Sequence, residues 1–251
     1  MKVVGGLPVP VVNIFGIPFC KLDMQDTVNL LCEKIAAGKP YHVITGNPIM
    51  VMQALESPQF MAVMQSADLV VPDGAGVVWA AARFGNPVAE RVAGFDLMHR
   101  LLEIGNRRNW KVFLLGASAE VIAAAAEQLR GKFPALQIVG ARDGYFTERQ
   151  DEEVIAQIRA AAPHMLFVGR AMNNQDPWIA KHKEKLGVPL MMGIGGSFDV
   201  VSGKLKRAPI LFQRMRLEWF YRLLQEPARY RRMLVLPKFA WKVIREHEKK
   251  Q

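Results

Sequence analysis

Short apolar runs alternate with longer amphipathic segments along most of the chain. The runs at 41–44, 68–71, 111–115, 136–140, 165–168 and 188–194 are bounded by Gly, Pro, Asn or Asp. Such short, continuously apolar runs read as strands buried on both faces. Between them, apolar residues recur at three- and four-residue spacing. Val28, Leu31 and Ile35 predict a helix over 23–37 that stops at Gly38. The same pattern predicts helices over 49–55, 58–64, 77–83, 96–107, 118–130, 148–162 and 178–186, while residues 9–20 read as extended. Strands that alternate with longer helices predict an α/β fold with a mostly parallel sheet covered on both faces.

In such sheets ligands sit outside the carboxyl ends of the strands. The residues to question are therefore Thr45, Asn47, Asp73, Gly116, the 143–146 stretch, the loop after Gly169 and residues 195–199. Asp73 follows an apolar run and precedes a helix. It suits a helix N-cap, and equally a general base in a partly desolvated cleft. Gly116-Ala117-Ser118 is either a phosphate-binding helix start or a tight turn with Ser118 as N-cap. Gly193, Gly195 and Gly196 allow close backbone approach to a ligand or form a plain turn, with Asp199 in reach. Gly144 and Tyr145, in Asp-Gly-Tyr-Phe, offer an aromatic on a glycine turn that can stack on a flat ring or anchor the loop.

Composition changes the picture at one end only. Residues 204–251 carry 14 lysines and arginines against 4 acids, whereas residues 1–203 carry 19 of each. The formal net charge of +10 is thus a property of the last segment. Trp, Phe, Tyr and Leu are interleaved with those cations, as an interfacial helix on anionic lipid requires. Packing on the body and nucleic-acid binding are the alternatives for this segment. A body of zero net charge argues against nucleic acid. The division expected is a catalytic body over 1–203 and a basic helical appendage over 204–251. The charges from Lys242 onward are assigned to lipid or solvent alone.

Other functional classes are disfavoured. No run approaches the ~20 apolar residues of a membrane span. The start of the chain is broken by Gly and Pro and is not expected to be a signal peptide. Cys20 and Cys32 give neither a disulfide framework nor metal spacing, and no DxD, HExxH or CxxC pattern is present. GxGxxG is missing, which weighs against a nucleotide-cofactor oxidoreductase.

The ordered blocks T-x-N, ADLVVPDGAGVVWAAARFGNPVAERVAGFDL, DGYF, VGRAMNNQDPW, GIGGSFDVVSGKLKRAP and LEWFYRLLQEPARYRR resemble the bacterial WecG/TagA/CpsF family of glycosyltransferases, from about residue 11 to 238. The resemblance implies a Rossmann-like body. It implies inverting, metal-independent transfer from a UDP-sugar to a polyprenyl-diphosphate-linked acceptor in surface polysaccharide synthesis, with no cofactor. By resemblance Asp73 is the general base, and Thr45, Asn47, Arg91 and Gln175 line the sugar pocket. Gly144, Tyr145, Gly195, Gly196 and Asp199 are placed on the uridine side, and Arg222, Arg229 and Arg232 reach the diphosphate. A cytoplasmic enzyme, peripheral on the inner face of the plasma membrane through 204–251, follows. A homo-oligomer is compatible with the sequence. A non-enzymatic basic membrane adaptor is the alternative.

One block departs from the family pattern, which runs close to VGxGxPxQExW. Here Arg170 and Ala171 replace a small, flexible stretch and Asp176-Pro177 replaces Glu and a helix former. Arg170 and Met172 are expected to reshape the sugar pocket, which leaves glucose, N-acetylmannosamine and a uronic acid open as the sugar.

Overall fold

The structure is a computed structural model and describes residues 2–4, 7–215 and 217–248. Strands β1 (Lys2–Val4) and β2 (Leu7–Val9) pair with each other. The main sheet holds β3 (Val11–Ile14), β4 (Ile17–Cys20), β5 (His42–Gly46), β6 (Leu69–Pro72), β7 (Lys111–Gly116), β8 (Gln137–Arg142), β9 (Met165–Gly169) and β10 (Leu190–Gly193). Their spatial order is β3-β4-β6-β5-β10-β9-β7-β8. All neighbours pair in parallel except β3 and β4, which form an antiparallel hairpin at the edge. The fold is the expected α/β class with a mostly parallel sheet.

Strand alternation sends successive side chains to opposite faces. Val43, Leu69, Val112, Leu114, Phe167 and Met192 enter one core, beneath α1 (Met24–Ala37), α5 (Gly94–Arg107) and α6 (Ala119–Lys132). On the other face, Ile44 and Val70 pack under α2 (Pro48–Glu56), α3 (Pro58–Ser66) and α4 (Ala75–Arg83). Phe113, Leu115, Leu166 and Met191 pack on that same face under α7 (Asp151–Ala161) and α8 (Met172–Leu186).

Two expectations need correction. Strand β8 is not fully buried, although α6 and α7 both contact it. It is an edge strand with half-exposed or exposed side chains throughout, because β7 supplies its one neighbour. Helix α8 begins at Met172, six residues before the expected start, so Pro177 lies inside it. Proline reads as a helix start in sequence, but the preceding turn is anchored by the Ala171 carbonyl, which accepts from Asn174 and Gln175.

The basic segment folds as α9 (Ser197–Val201) runs out into α10 (Ile210–Arg214), α11 (Glu218–Gln225), α12 (Tyr230–Met233) and α13 (Val235–Glu248). Helix α13 docks on α2 and α4. Its Phe239 and Val243 are buried with Phe19, Met50 and Val77 in one cluster, and Phe15 meets Phe239 edge-on at 6.2 Å. Lys242 Nζ lies 5.9 Å above the Phe15 ring. The assignment of every charge from Lys242 onward to lipid or solvent therefore fails for Lys242, and Lys249 and Lys250 lie outside the described residues.

Phe239→Ala should cost about 3–5 kcal/mol by urea denaturation, as for other buried phenylalanines. Trp241→Ala, two residues on and 61% exposed, should stay within about 0.5 kcal/mol. Equal effects would mean that α13 is not seated in the core.

Candidate active site

Strand order reverses between β5 and β10. From β5 the chain winds outward through β6, while β7, β8, β9 and β10 build the other half and return to β5. Crevices form at such switch points, outside the carboxyl ends of the strands. Here the ends are pulled together by backbone contact. The Ala117 amide bonds the Gly169 carbonyl at 2.9 Å, and a side chain on Gly116 would collide with that same carbonyl. Thr45 Oγ1 donates to the Gly193 carbonyl at 3.3 Å, joining the two halves.

Asp73 follows β6, and its amide bonds the Gly46 carbonyl at the end of β5 (2.9 Å). It does not cap the helix that follows it. Helix α4 has Gly74 at its N-cap position and no side-chain cap, and the Asp73 carboxylate crosses to α5, accepting from the Gly94 amide at 3.0 Å. The N-terminus of α5 has only Ala93 at its cap position, so Asp73 supplies the acceptor that Ala93 lacks. Arg91 Nε lies 3.5 Å from the second carboxylate oxygen, an ion pair too long for a well-formed hydrogen bond. The Arg91 guanidinium also pairs with Glu218 at the start of α11. Burial pushes the Asp73 carboxyl above its ordinary value. Arg91 and the Gly94 amide oppose the rise, and Glu218 adds to it. Asn47 stands beside this group with its carbonyl oxygen committed to the N-cap of α2, accepting from Ile49 (3.0 Å) and Met50 (3.2 Å).

Gln175 is buried under the loop after β10 and both ends of its amide are engaged. Its oxygen accepts from the Gly195 amide at 3.0 Å, and its nitrogen donates to Asp176 at 3.1 Å. Asp176 is fully buried and also faces His42 Nε2 at 3.4 Å. Gly193 has no room for a side chain against this pair. Gln175 therefore shapes the 193–196 loop from below, and its described contacts do not direct it into open space. Neither Asp176 nor His42 was expected at the site. A buried histidine and carboxylate from β5 and α8 carry no periodic signal in sequence.

The basic segment reaches the same loop. Arg222 donates to the Gly196 carbonyl (3.3 Å) and to Glu226 (3.2 Å), and Arg229 donates to the same Glu226 oxygen at 2.9 Å. Burial and the neighbouring Arg229 hold the Arg222 guanidinium below its ordinary value, although it stays charged. Asp199 sits beside Gly196, 3.6 Å from Lys204 Nζ. Arg232 is not brought in. It is exposed on α12, and no described contact ties it to the loop. Glu218 and Glu226 were missed, though a signal existed. They are two of only four acids in a segment of 14 cations, and both are spent on arginines at the site.

At the far end of the crevice the 143–146 turn rests on the 116–118 turn, with the Gly144 amide on the Ala117 carbonyl (2.9 Å). Ser118 caps α6 through Val121 (3.4 Å), so that side chain is structural. Tyr145 is 82% exposed. Arg170 lies on Phe146, and Met172 packs against the α2–α4 core. No described contact ties either side chain to Thr45.

Followed by carboxyl carbon shifts, Asp73 should titrate above exposed aspartates. Arg91→Gln should raise its midpoint further and Glu218→Gln should lower it, and midpoints unmoved by both would contradict this electrostatic arrangement. Because its folded value is raised, Asp73 contributes stability that is present at low pH and lost as pH rises through that value. Asp73→Asn should then be at least as stable as wild type near neutral pH in urea.

The model of the Glycosyl transferase WecG/TagA/CpsF family matches residues 12–251. The chain is 42% identical over 212 residues to the N-acetylglucosaminyldiphosphoundecaprenol N-acetyl-beta-D-mannosaminyltransferase of Bacillus spizizenii (strain W23), over 84% of this chain and 81% of the relative. Identity to the protein of the same name in Bacillus subtilis (strain 168) is 35% over 241 residues, covering 95% and 93%. The Staphylococcus aureus (strain MW2) protein of that name is 33% identical over 240 residues, covering 95% and 94%. Matches of this length, over the very residues that build the crevice, place the chain in the WecG/TagA/CpsF family, and it is a glycosyltransferase.

Proposed function

We propose that this enzyme transfers a hexose-type sugar from a UDP-sugar to a hydroxyl of a polyprenyl-diphosphate-linked glycan, in one inverting displacement. The observation that carries this is Asp73: a carboxylate at a strand end, anchored through one oxygen, raised by burial, in a crevice whose far wall bears two arginines. Asp73 takes the proton of the acceptor hydroxyl as that oxygen attacks C1 and the C1–O bond to UDP breaks. The leaving diphosphate gains charge, and Arg222 and Arg229 meet it with fixed donors in place of a metal ion. Gly195 and Gly196 bring backbone close to the diphosphate, and Tyr145 and Asp199 stand on the uridine side. The names of the relatives favour N-acetylmannosamine as the sugar and an N-acetylglucosaminyl-diphospho-undecaprenol acceptor.

The 204–251 segment acts as a membrane-association appendage in this proposal. Ile210, Leu211, Met215, Leu224, Leu234 and Trp241 are each more than half exposed, interspersed with exposed Arg214, Arg231, Arg232 and Lys238. No described helix is long and apolar enough to cross a membrane. A surface that is apolar and cationic together fits the inner face of the plasma membrane, where anionic lipid and the lipid-linked acceptor meet the enzyme. Glu218, Arg222 and Arg229 of the same segment already stand at the crevice, so docking of this segment brings the crevice itself to the membrane.

UDP should raise the melting temperature while NAD leaves it unchanged; a stabilisation by NAD and none by UDP would favour the oxidoreductase alternative. Asp73→Asn should bind UDP normally and lose about 10²–10⁴-fold in transfer, followed by UDP release with a short-chain polyprenyl-diphosphate acceptor. Undiminished turnover would remove Asp73 as the base. Leu211→Glu combined with Trp241→Glu should abolish retention on anionic liposomes and leave UDP binding intact. These surface changes test the membrane role more cleanly than deletion of 204–251, which would also uncover the core around Phe239.

A further inference from the structure

Arg170 is one of the residues by which this chain departs from the family block, and its position gives it work in the nucleotide half of the crevice. It follows directly on β9, whose last residue, Gly169, receives the Ala117 amide. Its guanidinium carbon lies 4.0 Å from the centroid of the Phe146 ring, and Nη2 donates to the Phe146 carbonyl at 3.2 Å. One side chain thus grips Phe146 by its ring and by its backbone. Phe146 is itself buried, edge-on to Trp178 at 5.8 Å. The Arg170 stem also closes on Gly144, where an added methyl would sit 3.1 Å from Cγ.

Both neighbours of Tyr145 are therefore fixed. Gly144 is held by the Ala117 carbonyl, and Phe146 by Arg170 and the core. The Tyr145 amide is satisfied locally by Asp143 Oδ1 at 2.9 Å. The tyrosine ring, by contrast, is 82% exposed. An open aromatic on a rigid pedestal can stack on a flat ring without first ordering its backbone.

We propose that Arg170 is a positioning residue for the donor nucleotide: by clamping Phe146 it holds the 143–146 turn so that Tyr145 presents its ring to the nucleotide base. This rests on the UDP-sugar proposal above and adds a residue to it. Arg170 does not touch the nucleotide in this role. Its effect reaches the base through Tyr145 alone, so substitutions at 145 and 170 must be coupled, and ligands without a base must be indifferent to both.

A double-mutant cycle on full-length protein tests this, with UDP and inorganic pyrophosphate as probes. Tyr145→Ala should weaken UDP about five- to a hundred-fold, the range for loss of one base–aromatic stack. Arg170→Ala should weaken UDP roughly three- to ten-fold, and the double variant should lose no more than Tyr145→Ala alone, since residues acting through one contact are non-additive. Pyrophosphate affinity should stay constant in all three, and kcat at saturating donor should hold while KM rises. Arg170→Lys keeps the charge and stem but not the planar group, and it should recover only part of the loss. Additive losses, or an Arg170→Ala variant that binds UDP as wild type while Tyr145→Ala does not, would overturn the positioning role and leave the UDP-sugar proposal standing. Unchanged UDP affinity in Tyr145→Ala would overturn the platform itself and with it the uridine-side placement of Tyr145. Weakened pyrophosphate binding in Arg170→Ala would make Arg170 a phosphate contact and likewise defeat the inference.

Discussion

Arg91 stands between two carboxylates that come from distant parts of the chain. Asp73 belongs to the end of β6, and Glu218 to the first turn of α11. A half-buried guanidinium needs such partners, because charge removed from water must be paired. Meeting that need ties the basic segment to the crevice and sets the electrostatic environment of Asp73. Burial alone would drive the carboxyl further up. Arg91 restrains it, and Glu218 weakens the restraint. A raised carboxyl held in check by a cation suits the base role proposed for Asp73.

The same segment has two kinds of surface with different physical duties. Phe239 and Val243 bury themselves among α2, α4 and the β3–β4 hairpin, where contacts are dense. Residues from 210 to 234 leave large apolar side chains open beside cations, which an aqueous surface alone does not reward. Arg222 and Arg229 lie on the crevice side of that region, held by Glu226. Core packing, ion pairing at the crevice and an exposed apolar and cationic face thus share one segment of the chain.

Glycines set the other boundary of the crevice. Gly116 meets Gly169, and Gly193 meets Gln175 and Asp176, at distances that exclude a side chain. The ends of the adjacent β7 and β9 can therefore close to backbone contact, and the buried His42, Asp176 and Gln175 support the loop after β10 from beneath. Tyr145 rises at one end and Asp73 lies at the other.

Much of this architecture was legible in order. The apolar runs at 111–115 and 165–168 fall on β7 and β9, and Gly38 stops α1, because strand burial and helix capping are local properties. Exceptions such as the half-exposed β8 arise where the number of neighbours is set by sheet order rather than by composition. The strand-end rule selected Thr45, Asn47, Asp73 and the 193–196 loop, since a parallel sheet puts those ends on one side whatever its order. What sequence left undecided is which side chains are spent on each other. Asp73 caps α5 and not the helix that follows it, Gln175 is consumed by Gly195 and Asp176, and Arg170 turns onto Phe146. Those choices depend on distances across the sheet between residues tens of positions apart, and only the folded chain fixes them.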